Sequence, residues 1–169
     1  MNPFPAVARH FAWARGLPTW RFLWWIVGER MAVKLVVLVA LRLVTDLPDR
    51  ADLIDLQASP MLFLAAAVIV APLIETALLQ AVPIELARTL RLGFGVQVMI
   101  ATGLFAAVHF VSGIVTGMVA GLVGGFYLSF TYAHWRGTSR STAFLITSAA
   151  HAINNAILVA IPLAFTAGE

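Results

Sequence analysis

The chain has 169 residues, 61% of them hydrophobic and 11% charged, against about 25% charged residues in an ordinary soluble domain, which excludes a water-soluble globule. Lys+Arg 11 against Asp+Glu 8 gives a formal charge of +3 with no basic tract, so nothing supports a nucleic-acid partner. The absence of cysteine excludes disulfides, thiolate metal sites and cysteine nucleophiles together.

The N-terminal arm, residues 1–30, carries Arg9, Arg15 and Arg21. Leu17–Arg30 reads as an interfacial helix on the cytoplasmic side, anchored by Trp20, Trp24 and Trp25, because ionised groups at a bilayer centre cost about 2.5 kcal/mol or more apiece. A short first span then begins near Met31, with Lys34 and Arg42 expected to snorkel towards opposite faces. An acidic loop follows, with Asp46, Asp49, Asp52 and Asp55 against Arg50. Four further segments supply the ~20 apolar residues that a bilayer crossing needs: Pro60–Val82, Gly93–Val111, Gly113–Ala133 and Thr142–Phe165. The expected fold is therefore all-α, a polytopic membrane bundle of about five spans over residues 31–169. Arg88 and Arg91 fall in the turn after span 2, and Arg136 and Arg140 in the turn after span 4. With the arm they put one face in the cytoplasm by the positive-inside rule. Ten of the eleven basic residues are arginine, which suggests a GC-rich bacterial gene and hence the cytoplasmic (inner) membrane.

Span 4 repeats Gly113, Gly117, Gly121 and Gly125, continued by Ser129 and Ala133. Such a stripe of small residues lets a neighbouring helix approach closely, and packing within the chain is favoured over a dimer contact; the oligomeric state stays open.

Polar groups inside the four apolar spans are few. Span 2 has Glu75 three residues after Pro72, span 3 has His109, and span 5 has His151 with Asn154 and Asn155. An ionisable group inside a membrane is a functional candidate by default. Glu75 and His109 each lie 17 residues from Leu92, so a hairpin turning there would set them at one depth. Pro83 either ends span 2 early, leaving Glu75 nearer the cytoplasmic face, or the helix continues through Glu85 and Arg88; the sequence leaves both open. Pro72 removes a backbone donor and frees a carbonyl one turn back. His151 and Asn155 share a helix face, whereas Asn154 points about 100° away and suits interhelical hydrogen bonding.

These residues fall into an ordered series: Glu75-Thr76-x-x-x-Gln80, Phe105-x-x-x-His109 and His151-x-x-x-Asn155. The series resembles the CPBP family (CAAX proteases and bacteriocin-processing enzymes, also called Abi), whose helices carry Glu-Glu-x-x-x-Arg, Phe-x-x-x-His and His-x-x-x-Asn. The likeness spans about 60–159, with Thr76 and Gln80 standing where the family has its second glutamate and its arginine. It implies a glutamate-type intramembrane endopeptidase acting on a membrane-associated peptide or protein, with no cofactor and no metal. Glu75 would be the general base that activates water, His109 would orient that water, and His151 and Asn155 would stabilise the oxyanion. Thr76 and Gln80 would tune the site. Two other readings use the same residues: a zinc protease with Glu75, His109 and His151 as ligands, and a non-catalytic scaffold, immunity-type or proton-relay protein.

Overall fold

The computed structural model describes residues 5–44 and 60–166, and every element among them is a helix. We number these α1 (Pro5–Ala14), α2 (Thr19–Val44), α3 (residues 60–89), α4 (Phe94–Phe110), α5 (Ile114–Trp135) and α6 (Arg140–Thr166). The acidic loop with Asp46, Asp49, Arg50, Asp52 and Asp55 lies outside the described residues. Helices α3, α5 and α6 contain stretches long and apolar enough to cross a membrane, and α4 is a shorter apolar helix. The chain is an integral membrane protein.

Helix α2 differs from expectation. It runs unbroken from Thr19 through Arg30 to Val44, so Leu17–Arg30 and the span expected from Met31 share one continuous helix. Phe22, Ile26, Arg30 and Lys34 follow one another at intervals of four residues and are all buried, which puts them on one stripe facing the bundle. Lys34, expected to snorkel, points inward and is 6% exposed. The expectation took lipid as the surroundings of these cations, whereas the stripe gives them protein.

Helix α3 passes through both prolines. A π-helical stretch, Ala66–Val70, precedes Pro72, and a second, Thr76–Ala81, precedes Pro83. In each the last amide before the proline reaches five residues back, Ala71 N–H to Ala66 O and Val82 N–H to Ala77 O. The widened turn leads into a residue that has no N–H to give, and the helix continues to Thr89. That settles the question of Pro83. Met61, Leu62, Ile69, Val70, Leu73, Ile74 and Leu78 stay exposed, giving α3 an apolar outer face suited to lipid.

The turn into α4 has Arg91 at φ 56°, and Gln97 Nε2 donates to Leu92 O at 2.6 Å. Gly113, with φ 121°, turns the chain into α5, a conformation that favours glycine. Ser139 caps α6, its Oγ accepting from Thr142 N–H at 2.9 Å.

The basic segments gather at one end of the bundle. Glu85 near the end of α3 pairs with Arg136 after α5, whose Nη2 donates to Glu85 Oε2 at 3.1 Å, and with Arg140 of α6, Nε to Oε2 3.2 Å. Arg15 sits 5.3 Å over the Phe94 ring at the start of α4. Phe11 of α1 packs on Phe126 and Phe130, and Glu29 accepts from His10 Nε2 (2.6 Å) and Tyr127 Oη (2.8 Å).

Candidate active site

The glycine stripe sets the distance between α4 and α5. A Cβ at Gly121 would stand 2.9 Å from Ala106 Cα and 3.1 Å from His109 Cβ, and one at Gly125 would stand 3.0 Å from the Phe105 ring. Backbone contact this close is available only to glycine. The stripe therefore serves packing within the chain, as expected, and it presses His109 and Phe105 into the bundle.

Phe105 links the two histidines. Its ring stacks on His109 at 4.3 Å between centroids and meets the His151 ring edge-on at 5.9 Å. His109 Nδ1 donates to Phe105 O at 2.9 Å, which leaves Nε2 of the neutral ring as an acceptor. His151, 3% exposed, turns Nε2 towards Glu75 Oε2 at 3.7 Å, an ion-pair separation too long for a hydrogen bond. Glu75 retains 31% of its side-chain exposure, so the carboxylate meets the surroundings while the histidine facing it is enclosed. Glu75 and His151 thus face each other directly, and His109 lies one aromatic ring away.

Asn155 is placed differently from expectation. Its Nδ2 donates to Ala67 O at 2.9 Å. Ala67 lies in the first π-helical stretch, and the residue five positions on is Pro72, which cannot supply the amide its carbonyl would take. The freed carbonyl expected from Pro72 is thus answered by α6, and one N–H of Asn155 is committed to that bond. Asn154 has no hydrogen bond to another helix among the described residues: it is fully buried, and its Nδ2 reaches Asn155 Oδ1 at 3.4 Å.

Thr76 and Gln80 are also fully buried. They sit on the second π-helical stretch of α3, which packs against α4, α5 and α6, and neither Thr76 Oγ1 nor the Gln80 amide atoms have a hydrogen-bond partner. Among the described residues no three His, Asp or Glu side chains gather as a metal site.

Two buried basic residues near these helices were not among the candidates of the sequence, Arg30 and Lys34 of α2. Both approach Gly124 of α5, with Arg30 Nη2 3.0 Å and Lys34 Cε 3.4 Å from the place of a Cβ there. The signal that would have found them is the four-residue spacing from Phe22 through Ile26, which continues the core stripe into the two cations.

Residues 57–157 match the family model described as Rce1-like, type II CAAX prenyl endopeptidase Rce1-like, a segment covering more than half of the chain. No curated protein and no solved structure matches it.

Proposed function

The chain belongs to the Rce1-like family of type II CAAX prenyl endopeptidases, and from that premise we propose that it is a glutamate-type intramembrane peptidase whose substrate is a membrane-associated peptide or protein. The family supports a membrane protease of the CAAX type. The observation that carries the finer reading is the pair Glu75 and His151, opposed at 3.7 Å inside an apolar bundle, with His109 held close by through Phe105.

Peptide hydrolysis needs a base for water, donors for the oxyanion and a proton for the leaving amine. Glu75, partly open, takes the proton of the attacking water as general base and returns it to the amine nitrogen. His109, with Nδ1 committed to Phe105 O, accepts a water proton at Nε2 and fixes that water's orientation. His151 Nε2–H and the remaining Nδ2 proton of Asn155 point donors at the oxyanion. The bond from Asn155 to Ala67 also pins α6 to α3 one turn beyond His151, which holds the histidine opposite Glu75. Thr76 and Gln80 tune the site. By the same reading the basic end of the bundle faces the cytoplasm of a bacterial inner membrane, with the N-terminus on that side.

The test is hydrolysis of a quenched-fluorescent farnesylated CAAX peptide by purified full-length protein. Glu75→Gln keeps the shape of the side chain and cannot take a proton, so cleavage should vanish while expression, membrane insertion and melting temperature stay those of wild type. Full activity in E75Q would refute the mechanism. A scaffold would instead keep its biological role in that variant.

A further inference from the structure

Arg30 comes from outside the family-matched segment, and its surroundings are unusual for an arginine. It is 3% exposed, and neither Nε nor Nη1 has a hydrogen-bond partner among the described residues. Lys34 lies one turn further along the same buried stripe. A buried cation is costly unless negative charge answers it. Of the nearby carboxylates, Glu29 is turned to His10 and Tyr127 and Glu85 to Arg136 and Arg140. Among the described residues that leaves Glu75, which faces His151, and the buried guanidinium keeps donors that a transient negative charge would take up.

The guanidinium is placed for this. A Cβ at Gly124 would lie 3.0 Å from Arg30 Nη2 and 3.6 Å from Nε, so the missing side chain there is what admits the group between α2 and α5. Gly121 and Gly125 on the same turns of α5 touch His109 and Phe105, and the Phe105 ring contacts His151. Arg30 therefore reaches the stretch of bundle that holds both histidines. In the motif of α3, Gln80 stands where the family has arginine, and its amide is buried without a partner.

We propose that Arg30 is a catalytic residue whose guanidinium binds the oxyanion of the tetrahedral adduct, bringing a basic group from α2 to a bundle in which Gln80 stands at the arginine position of the α3 motif. This rests on the peptidase reading above. Water oxygen bonds to the scissile carbonyl carbon, its proton passes to Glu75, and the carbonyl π pair moves onto oxygen, where the idle N–H groups of Arg30 donate to it. When the adduct collapses, that pair re-forms the carbonyl, the C–N bond breaks and Glu75 protonates the amine. Arg30 keeps its proton throughout. The ligand class is an anionic tetrahedral analogue of a peptide bond.

The experiment uses full-length protein in detergent with two probes, the farnesylated CAAX peptide and the same peptide bearing a phosphinate at the scissile bond. Analogue affinity is read whether or not the peptide turns over. Loss of one oxyanion donor costs about 10²–10³ in kcat in other hydrolases. Arg30→Met should accordingly lower kcat about 100-fold with KM little changed and weaken the phosphinate by a similar factor. R30K should fall between, and R30M/Q80R should recover at least about tenfold of the loss. R30M with wild-type kcat and phosphinate affinity, beside an inactive E75Q, would overturn this inference and leave the peptidase reading standing. A lowered melting temperature with phosphinate affinity unchanged in the folded fraction would likewise reduce Arg30 to a structural residue. An active E75Q, or a wild type that neither cleaves the peptide nor binds the phosphinate, would overturn the reading beneath it.

Discussion

Asn155 accepts a task that a proline on another helix, half a chain away in sequence, creates for it. Because Pro72 gives no amide, the Ala67 carbonyl would be left without a donor, and Asn155 Nδ2 meets it at 2.9 Å. Leaving a polar group unsatisfied in a bundle interior costs about 1–3 kcal/mol. Asn155→Ala should therefore lower stability by about that amount in denaturation from detergent micelles. Pro72→Ala returns an amide to α3, so the double variant should lose less than the sum of the single ones; additive losses would show that the two positions are not coupled. At this scale the sequence was readable where an ionisable group stands alone in an apolar run, as with Glu75, His109 and His151, because lipid tolerates no such group without a reason. It misled at Lys34. The same insertion cost was charged to lipid there, although the stripe Phe22, Ile26, Arg30, Lys34 faces protein. The partner of Asn155 was beyond reach, since a contact across 88 positions depends on how helices pack.

Helices α3 and α5 show how local irregularity positions a site. The π-helical stretch Thr76–Ala81 rotates Thr76 and Gln80 into the interior, while Gly117–Gly124, also π-helical, meets α4 and α2. The apolar helices, the glycine stripe and the amide missing at Pro72 were legible from residue types alone. The widened turns were not, because they express a compromise between a missing amide and continued helix that tertiary packing decides. The stripe gives a graded prediction. Gly121→Leu would force a side chain where a Cβ already stands 2.9 Å from Ala106 Cα and 3.1 Å from His109 Cβ, so it should cost at least the 1–3 kcal/mol typical of overpacking, and melting temperature would fall. Gly103 on α4 has nothing within 4 Å of a built Cβ. Gly103→Ala should raise stability by roughly 0.5–1 kcal/mol through the helix preference of alanine. Equal effects at the two positions would mean that α4 and α5 do not meet as described.

For the molecule as a whole, the charge inside the bundle decides between water activated by a carboxylate and water activated by a metal. The Arg30 guanidinium is buried in the bundle against Gly124, so a basic group is present before any ligand enters. A divalent ion would add two charges near that guanidinium in a medium of low dielectric, where like charges repel strongly. Zinc would also require ligand atoms about 2.0–2.2 Å from the ion, drawing Glu75, His109 and His151 around a single point. The two rings are instead separated by Phe105, which contacts each of them, and His109 Nδ1 is already occupied by the Phe105 carbonyl. Closing three ligands on one ion would mean displacing that ring, which is 1% exposed and pressed against Gly125. Purified protein should therefore hold no stoichiometric metal by elemental analysis, and cleavage of the farnesylated peptide should survive prolonged EDTA or phenanthroline. Activity lost on chelation and restored by added zinc would transfer the activation of water from Glu75 to a metal bound by the same residues.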